Sequence, residues 1–259
     1  MSFHRHAFSV ALTAISRVLI VRDRVRGWVG PGILADSAVI SVSHHSISSG
    51  ASCLDAWFVK PAATTPRATV LICHGIAETA EHWLPVQHVL ASDGIASLVF
   101  DYSGYGKSTG RVDWTQYEHD AISAFHALQR LEPAQPITML GFSLGSGVAS
   151  AVIHKVAADR LILCAAFTSF RGAARSIGIP ACLTSWVPPI WSAEESLRDC
   201  HLPILVVHGE KDRLFPVKMA HNLFAHCGKN AELIVVPNLG HIEPFRKPRL
   251  SYWGQLFPR

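Results

Sequence analysis

Six short apolar runs that alternate with stretches of helical length constrain the fold of this chain more than any other feature. The runs are nearly unbroken, and they are Thr69–Cys73, Ala96–Phe100, Ile137–Leu140, Leu161–Cys164, Ile204–Val207 and Leu233–Val236. The stretches between them are Glu81–Ser92, Trp114–Leu131, Leu144–Ala158 and Val217–Cys227. Strands that are apolar on both faces belong in a parallel sheet covered by helices on both sides. The pattern therefore predicts an α/β domain.

Two further β-prone runs come before this alternation. Ala38–Ile47 and Cys53–Val59 are separated by Ser48-Ser49-Gly50, and their polar and apolar residues partly alternate. Alternation of this kind across a short turn predicts an antiparallel hairpin at one edge of the sheet. In open α/β sheets ligands bind at the carboxyl ends of the parallel strands, so we expect a functional site there.

The longest interruption of the pattern is Thr168–Asp199. A simple connection between a strand and a helix takes about two to six residues, so this segment is an insertion, and we interpret residues 168–199 as a cap over the site. Its aromatic residues Phe170, Trp186 and Trp191 are candidates for substrate binding. The alternative is an irregular surface excursion whose aromatic side chains pack on the core.

Composition and charge exclude several classes of protein. The chain has 259 residues, 49% of them hydrophobic and 16% charged, which is not the composition of a disordered protein. Its net charge of +4 lies in residues 1–30, which hold five arginines against Asp23, while the remainder is balanced. A domain in which positive and negative charges are equal in number lacks the excess of positive charge that binds nucleic acid.

The six cysteines form no CxxC pair, and no His, Cys or Asp cluster has the spacing of metal ligands. We therefore expect no metal and no cofactor, and a reducing, cytoplasmic location. A disulfide between Cys182 and Cys200 is left open.

Residues 1–35 are interpreted as an appendage, and residues 36–259 as the main domain. Ala7–Val21 is apolar with one narrow polar stripe, and at 15 residues including Arg17 it is short for a membrane span. It is either a helix packed on the body or a basic anchor that brings residues 1–26 to a membrane surface. A transit or secretory peptide and a true membrane span are the remaining alternatives.

A Gly-x-Ser-x-Gly sequence, Gly141–Gly145, follows one of the apolar runs and opens a segment of helical length. This order predicts a strand, a sharp turn with Ser143 at its apex, and a helix. The turn is strained, so the flanking positions need the small size of glycine. It would aim the hydroxyl of Ser143 outward and place the N–H of Leu144 beside a reacting carbonyl.

Acyl transfer by a serine needs a base and an acid that orients the base. Asp212 comes a few residues after the run Ile204–Val207, and His241 comes just after Leu233–Val236. Since all three residues follow parallel strands, they are expected at the same edge of the sheet. Glu210 competes with Asp212 for the role of the acid.

Negative charge on the substrate oxygen needs two donors. Leu144 N–H is one, and Ile76 N–H is predicted to be the other, because Gly75 lets the loop after the first parallel strand approach the ligand. His74 in the same loop and Asp101 after the next strand are interpreted as structural residues.

Five ordered motifs between about residue 50 and residue 245 carry a resemblance. They are Leu71–Glu78, Phe100–Ser108, Gly141–Gly145, His208-Gly209-x-x-Asp212 and Gly240-His241. They resemble α/β-hydrolases, most closely the serine-aminopeptidase-like group that includes monoacylglycerol lipases and lysophospholipases. The resemblance implies Ser143 as nucleophile, His241 as base, Asp212 as acid, and Ile76 and Leu144 as oxyanion donors. The chain departs from that group in its short cap and in the lack of a long final helix after His241.

The residues and the resemblance together predict a cofactor-independent serine hydrolase. It would cleave carboxylic esters or thioesters of lipid or small acyl substrates through an acyl-enzyme. Two alternatives stay open: a catalytically silent binding protein on the same fold, and an acyl-protein thioesterase or lipase held at a membrane.

Overall fold

The computed structural model describes residues 39–257. Eight strands form a single sheet in the order β1-β2-β4-β3-β5-β6-β7-β8. Their bounds are β1 Ile40–Ser49, β2 Ser52–Pro61, β3 Ala68–Cys73, β4 Ile95–Phe100, β5 Ile137–Phe142, β6 Arg160–Cys164, β7 Ile204–Gly209 and β8 Ala231–Val236. Every predicted strand is confirmed, with ends that move by one or two residues in most cases. The predicted appendage, residues 1–35, lies outside the described residues.

The hairpin and the parallel part of the sheet follow the predicted division. β1 pairs with β2 antiparallel, and the turn between Ser49 and Ser52 uses Gly50 at φ 57°, a backbone conformation that glycine adopts without a steric cost. β2 also pairs with β4 antiparallel, whereas all pairs among β3 to β8 are parallel. The carboxyl ends of β3 to β8 therefore meet at one edge of the sheet.

Helices cover both faces of this sheet. Their bounds are α1 Leu84–Ser92, α2 Gln116–Leu131, α3 Leu144–Val152, α4 Phe170–Ser176, α5 Ala181–Thr184, α6 Ala193–Arg198, α7 Lys218–His226, α8 Glu243–Arg246 and α9 Leu250–Trp253. Along each parallel strand alternate side chains enter two separate apolar clusters, one on each face. Leu71 lies in the first cluster and Ile72 in the second, which explains why both faces of these strands are mostly apolar.

The helix after Ser143 is shorter than predicted. It ends at Val152, although the helical pattern continues to Ala158. Asp159 N donates to Ile137 O at 3.0 Å, and Asp159 Oδ2 accepts from Ile137 N at 2.8 Å. These two bonds fix the start of β6 beside the start of β5, so the preceding residues must leave the helix to return to the sheet.

The predicted insertion contains three short helices, α4, α5 and α6, joined by irregular segments. After His241 the chain forms only α8, α9 and a final 3-10 turn, so no long terminal helix occurs among the described residues. None of the helices described is long and apolar enough to cross a lipid bilayer. All six cysteines are free, which leaves Cys182 and Cys200 unbonded to each other.

A buried carboxylate joins three parts of the fold. Asp120 on α2 accepts hydrogen bonds at Oδ1 from Ser49 Oγ (2.7 Å), Ser103 Oγ (3.0 Å) and Gln116 Nε2 (3.1 Å). Its Oδ2 accepts from Ser103 N at 2.7 Å. The hairpin, the loop after β4 and helix α2 are therefore held by one fully buried side chain whose two oxygens are both bonded.

We predict that Asp120→Asn destabilises the protein by about 1–3 kcal/mol. The NH₂ group of the asparagine would face a hydrogen-bond donor that in the wild type donates to a carboxylate oxygen. Chemical denaturation measures the free energy of unfolding. Asp199→Asn is the matched control, since that exposed carboxylate accepts no hydrogen bond within residues 39–257. Equal stabilities for the two variants would contradict a structural role for Asp120.

Candidate active site

Ser143 occupies a sharp turn between a strand and a helix. Strand β5 ends at Phe142 and helix α3 begins at Leu144, so a single residue reverses the chain. Ser143 has φ 52° and ψ −116°, a conformation that is strained for any residue with a Cβ. Its N–H donates to Cys164 O at 3.0 Å, which ties the turn to strand β6. The predicted sharp turn is present at the carboxyl edge of the sheet.

Close packing around this turn requires its two glycines. A Cβ on Gly141 would lie 2.5 Å from Gly145 O and 2.6 Å from Ser146 Cα. A Cβ on Gly145 would overlap the carbonyl oxygen of Cys73 at the end of β3. The turn is therefore clamped between its own helix and the neighbouring strand, and neither position has space for a side chain.

His241 reaches Ser143 from the loop that follows β8. Its Nε2 lies 2.9 Å from Ser143 Oγ, and its Nδ1 lies 2.7 Å from Asp212 Oδ2. The imidazole packs between Phe142, with ring centroids 5.7 Å apart, and Phe215, at 5.2 Å. A histidine with Nδ1–H donating to the carboxylate leaves Nε2 free to accept the serine proton. The structure thus brings together three residues that lie 98 and 29 positions apart in the chain.

Asp212 is held by the turn that follows β7. Its Oδ1 accepts from Leu214 N at 2.9 Å and from Phe215 N at 2.8 Å, which leaves Oδ2 for the imidazoles. Burial acts to raise the pKa of Asp212, but hydrogen bonds from His208 and His241, the charge of His241 and the bond from Phe215 outweigh it and lower the pKa below its ordinary value. The carboxylate is therefore ionised at neutral pH.

Glu210, the alternative candidate for the acid, contacts the loop after β8. Glu210 is exposed, and its Oε2 accepts from Asn238 N at 3.0 Å. It therefore fixes the loop after β8 rather than contacting His241.

The loop after β3, residues 74–79, faces Ser143 across the site. Gly75 N donates to Glu78 Oε2 at 2.7 Å, and Trp83 Nε1 donates to the same oxygen at 2.9 Å. Ala77 takes a left-handed conformation, with φ 61°. Within the part of the chain that the structure describes, neither Ile76 N–H nor Leu144 N–H donates to a protein acceptor. Both predicted donors are thus available to a ligand.

His74 and Asp101 have structural surroundings. Burial lowers the pKa of His74 to about 4, so its imidazole is neutral, and His74 Nδ1 donates to Gly75 O at 2.8 Å. Asp101 accepts from Ala80 N at 2.7 Å and from Lys107 N at 3.0 Å. These contacts order the loops after β3 and β4 and do not reach Ser143.

The three candidate substrate-binding aromatics occupy different environments. Phe170 and Trp191 are buried, and both pack on Trp114, with ring centroids 5.2 and 5.8 Å apart. Trp191 Nε1 also donates to Glu118 Oε1 at 3.2 Å. Trp186 is 37% exposed. The first two contribute to the core in the way the alternative interpretation describes, and a substrate contact by any of the three stays a prediction.

Two residues beside the site were not identified from the sequence. Glu78 holds the loop after β3 through Gly75 N, and His208 lies beside Asp212 at the end of β7. Both belong to the motifs that carried the resemblance: His208 directly follows the apolar run Ile204–Val207, and Glu78 lies in the loop after β3. That position was the available signal, but their contacts depend on loops whose conformation the sequence pattern does not define.

Comparison with known proteins agrees with this architecture. Residues 64–191 match the model of the serine aminopeptidase S33 family, Hydrolase_4. Lysophosphatidylserine lipase ABHD12 of Macaca fascicularis is 27% identical over 191 residues, which are 66% of this chain and 48% of that protein. The Mycobacterium tuberculosis protein Rv2307c is 29% identical over 195 residues, 74% of this chain and 69% of its own length. The chain spans about half the length of the lipase relatives it matches.

Solved structures share the fold. Esterase Pf2001 of Pyrococcus furiosus superimposes with a TM-score of 0.67 at 22% identity, over 90% of this chain and 93% of that one. Est1E of Butyrivibrio proteoclasticus, solved with ferulic acid, gives 0.66 at 20% identity, over 82% and 95%. The chain therefore has the α/β-hydrolase fold, and the family match over residues 64–191 and the relatives support its placement in the α/β-hydrolase superfamily.

We predict that Gly145→Ala destabilises the protein by about 2 kcal/mol or more, because the new methyl group overlaps backbone at the end of β3 and only a shift of the turn can relieve it. Chemical denaturation is the measurement. In Gly228→Ala, the control, the nearest atom to the added methyl is 3.4 Å away, and stability should change little. Unaltered stability of the Gly145 variant would mean that the turn is not clamped.

Proposed function

We propose that this protein is a serine hydrolase that cleaves carboxylic esters or thioesters through an acyl-enzyme. The observation that carries the proposal is the continuous hydrogen-bonded chain from Ser143 Oγ through His241 to Asp212, with contacts of 2.9 and 2.7 Å. These are the distances that a general base needs to take a proton from a serine and to be oriented by an acid.

In the proposed mechanism Ser143 Oγ attacks the substrate carbonyl while His241 Nε2 takes the hydroxyl proton. The tetrahedral intermediate collapses, and His241 returns the proton to the leaving alcohol or thiol. Water, deprotonated by His241, then attacks the acyl-enzyme; the bond to Ser143 Oγ breaks, His241 returns the proton to Ser143 Oγ, and the acid is released. Asp212 fixes the imidazole tautomer and stabilises the imidazolium without becoming protonated, in keeping with its lowered pKa.

The proposed oxyanion hole consists of Leu144 N–H and Ile76 N–H. Leu144 is the first residue of helix α3, so its N–H has no partner inside the helix. Ile76 lies in the loop that Glu78 fixes through Gly75. Two fixed donors of this kind are worth several kcal/mol when charge develops on the carbonyl oxygen.

The proposed substrates are lipid or small acyl esters with uncharged short-to-medium acyl groups. Phe142 and Phe215 flank the imidazole, and the two residues that would supply the oxyanion donors, Ile76 and Leu144, are apolar. The names of the relatives point the same way, because the ABHD12 relatives are lysophosphatidylserine lipases. The second candidate function, a catalytically silent binding protein, has less support because each of the three groups needed for acyl transfer is in contact with the next.

We predict that Ser143→Ala lowers kcat for p-nitrophenyl acyl esters by about 10⁴-fold or more, since within residues 39–257 His241 contacts no other nucleophile. The wild-type protein should react with a fluorophosphonate probe and the variant should not. An acyl-chain series measured with the wild type defines the preferred length. Turnover that survives the substitution would refute the mechanism, and absence of both turnover and labelling in the wild type would favour the binding protein.

We predict that Asp212→Asn lowers kcat by about 10⁴-fold while the protein stays folded. The amide oxygen would remain on Leu214 N and Phe215 N, which turns the NH₂ group toward His241 Nδ1 and selects the tautomer that cannot accept from Ser143. Steady-state kinetics and thermal unfolding are the measurements. Glu210→Gln is the control, and a larger loss of kcat in Glu210→Gln would assign the acid to that residue.

A further inference from the structure

A second histidine, His208, lies against the same carboxylate oxygen of the proposed acid that His241 contacts. His208 is the last but one residue of β7, and its side chain is completely buried. Its Nε2 lies 2.8 Å from Phe215 O and 3.4 Å from Asp212 Oδ2. Asp212 Oδ2 therefore faces two imidazoles, one from each of two neighbouring loops.

The hydrogen bonds define the protonation state of His208. Phe215 O can only accept, so Nε2 must carry the proton that joins them. His208 Nδ1 is buried and has no hydrogen-bond partner within residues 39–257. An imidazolium would leave a buried N–H donor unsatisfied at Nδ1, which is costly. The geometry therefore corresponds to a neutral imidazole with its single proton on Nε2.

His208 acts on both neighbours of the proposed base. Through Asp212 Oδ2 it supplies a second, weaker donor to the carboxylate that orients His241. Through Phe215 O it fixes the residue whose ring packs edge-on against the His241 imidazole. Phe215 N in turn donates to Asp212 Oδ1 at 2.8 Å, so His208, Asp212 and Phe215 form one closed set of contacts.

We propose that His208 is a positioning residue for the reaction: as a neutral Nε2–H donor, it holds Asp212 and Phe215 in the arrangement that orients His241. This inference rests on the proposed function and adds a fourth side chain to it. His208 touches neither Ser143 nor the site of the substrate carbonyl, so it acts entirely through the two residues that contact His241.

The substitutions that separate a hydrogen-bonding role from a packing role are His208→Gln and His208→Leu. A glutamine Nε2 can occupy the place of the imidazole Nε2 and donate to Phe215 O, whereas leucine fills the volume without a donor. His226→Leu is the matched control, because that exposed imidazole bonds only to Asn222 O of its own helix among the described residues. The readouts are kcat, KM, and the dependence of kcat/KM on pH.

We expect His208→Leu to lower kcat about 10- to 100-fold with KM nearly unchanged, because the base is misaligned while the substrate contacts remain. The acid limb of kcat/KM should move upward by about 0.5 pH unit, since a carboxylate that has lost a donor stabilises the imidazolium more strongly. The other charged side chains nearby are Glu210, Lys211 and Arg213, all exposed in the loop after β7, and Glu243 at the start of α8. Glu210 accepts from Asn238 N and Glu243 from Gly240 N, and from β5 Phe142 packs against the imidazole. His208→Gln should restore both kcat and the pH limb.

Two kinetic results would overturn the proposal. One is a kcat within two-fold of wild type in folded His208→Leu. The other is a loss of kcat that leaves the acid limb in place or that glutamine does not restore, since this would indicate packing alone.

A measurement on the wild-type protein decides the question if His208→Leu does not fold. In ¹⁵N-histidine NMR at neutral pH, the signal that disappears in His208→Gln should be that of a neutral, Nε2-protonated ring. An imidazolium or an Nδ1-protonated ring at this position would refute the proposal. This result does not depend on turnover, and fluorophosphonate labelling of wild-type Ser143 tests the proposed function separately.

Discussion

The site depends on one steric constraint, the contact between the backbone of the Ser143 turn and the end of strand β3. Gly145 lies against the carbonyl of Cys73, and Ser143 is held at φ 52° by this contact and by its bond to Cys164 O. A strained residue persists only where its surroundings leave it no alternative. Because β3 and β6 flank β5 in the sheet, the strain at Ser143 is balanced by the stability of the parallel sheet.

The same contact sets the positions of the other groups. The loop that continues from Cys73 carries Ile76, so the strand that clamps the turn also delivers the second proposed oxyanion donor. On the other side, β7 and β8 are in register with each other and with β6, and their loops bring Asp212 and His241 to the same edge. The distances of 2.7 and 2.9 Å in the Ser143–His241–Asp212 chain thus follow from strand register rather than from flexible loops.

The strands and the approach of the three residues were predictable from the sequence because both follow from patterns of apolar residues. Buried parallel strands are mostly apolar on both faces, and each candidate residue follows one of them, so their common edge is a consequence of the sheet topology. The length of helix α3 was not predictable, since its end is fixed by the bonds between Asp159 and Ile137. Burial of Phe170 and Trp191 likewise depends on contacts with Trp114, which lies more than fifty positions away in the chain.

The electrostatic surroundings of Asp212 explain why a histidine at position 208, directly before Gly209, is compatible with the proposed role of Asp212. Burial alone raises the pKa of Asp212, and a protonated Asp212 could not stabilise an imidazolium. Two backbone N–H groups and two imidazoles counter that effect. A lysine or arginine in place of His208 would also keep the carboxylate ionised, but its full charge would compete with His241 for Asp212 and would disfavour the imidazolium. A neutral donor supports the negative charge without opposing the positive charge that forms during the reaction.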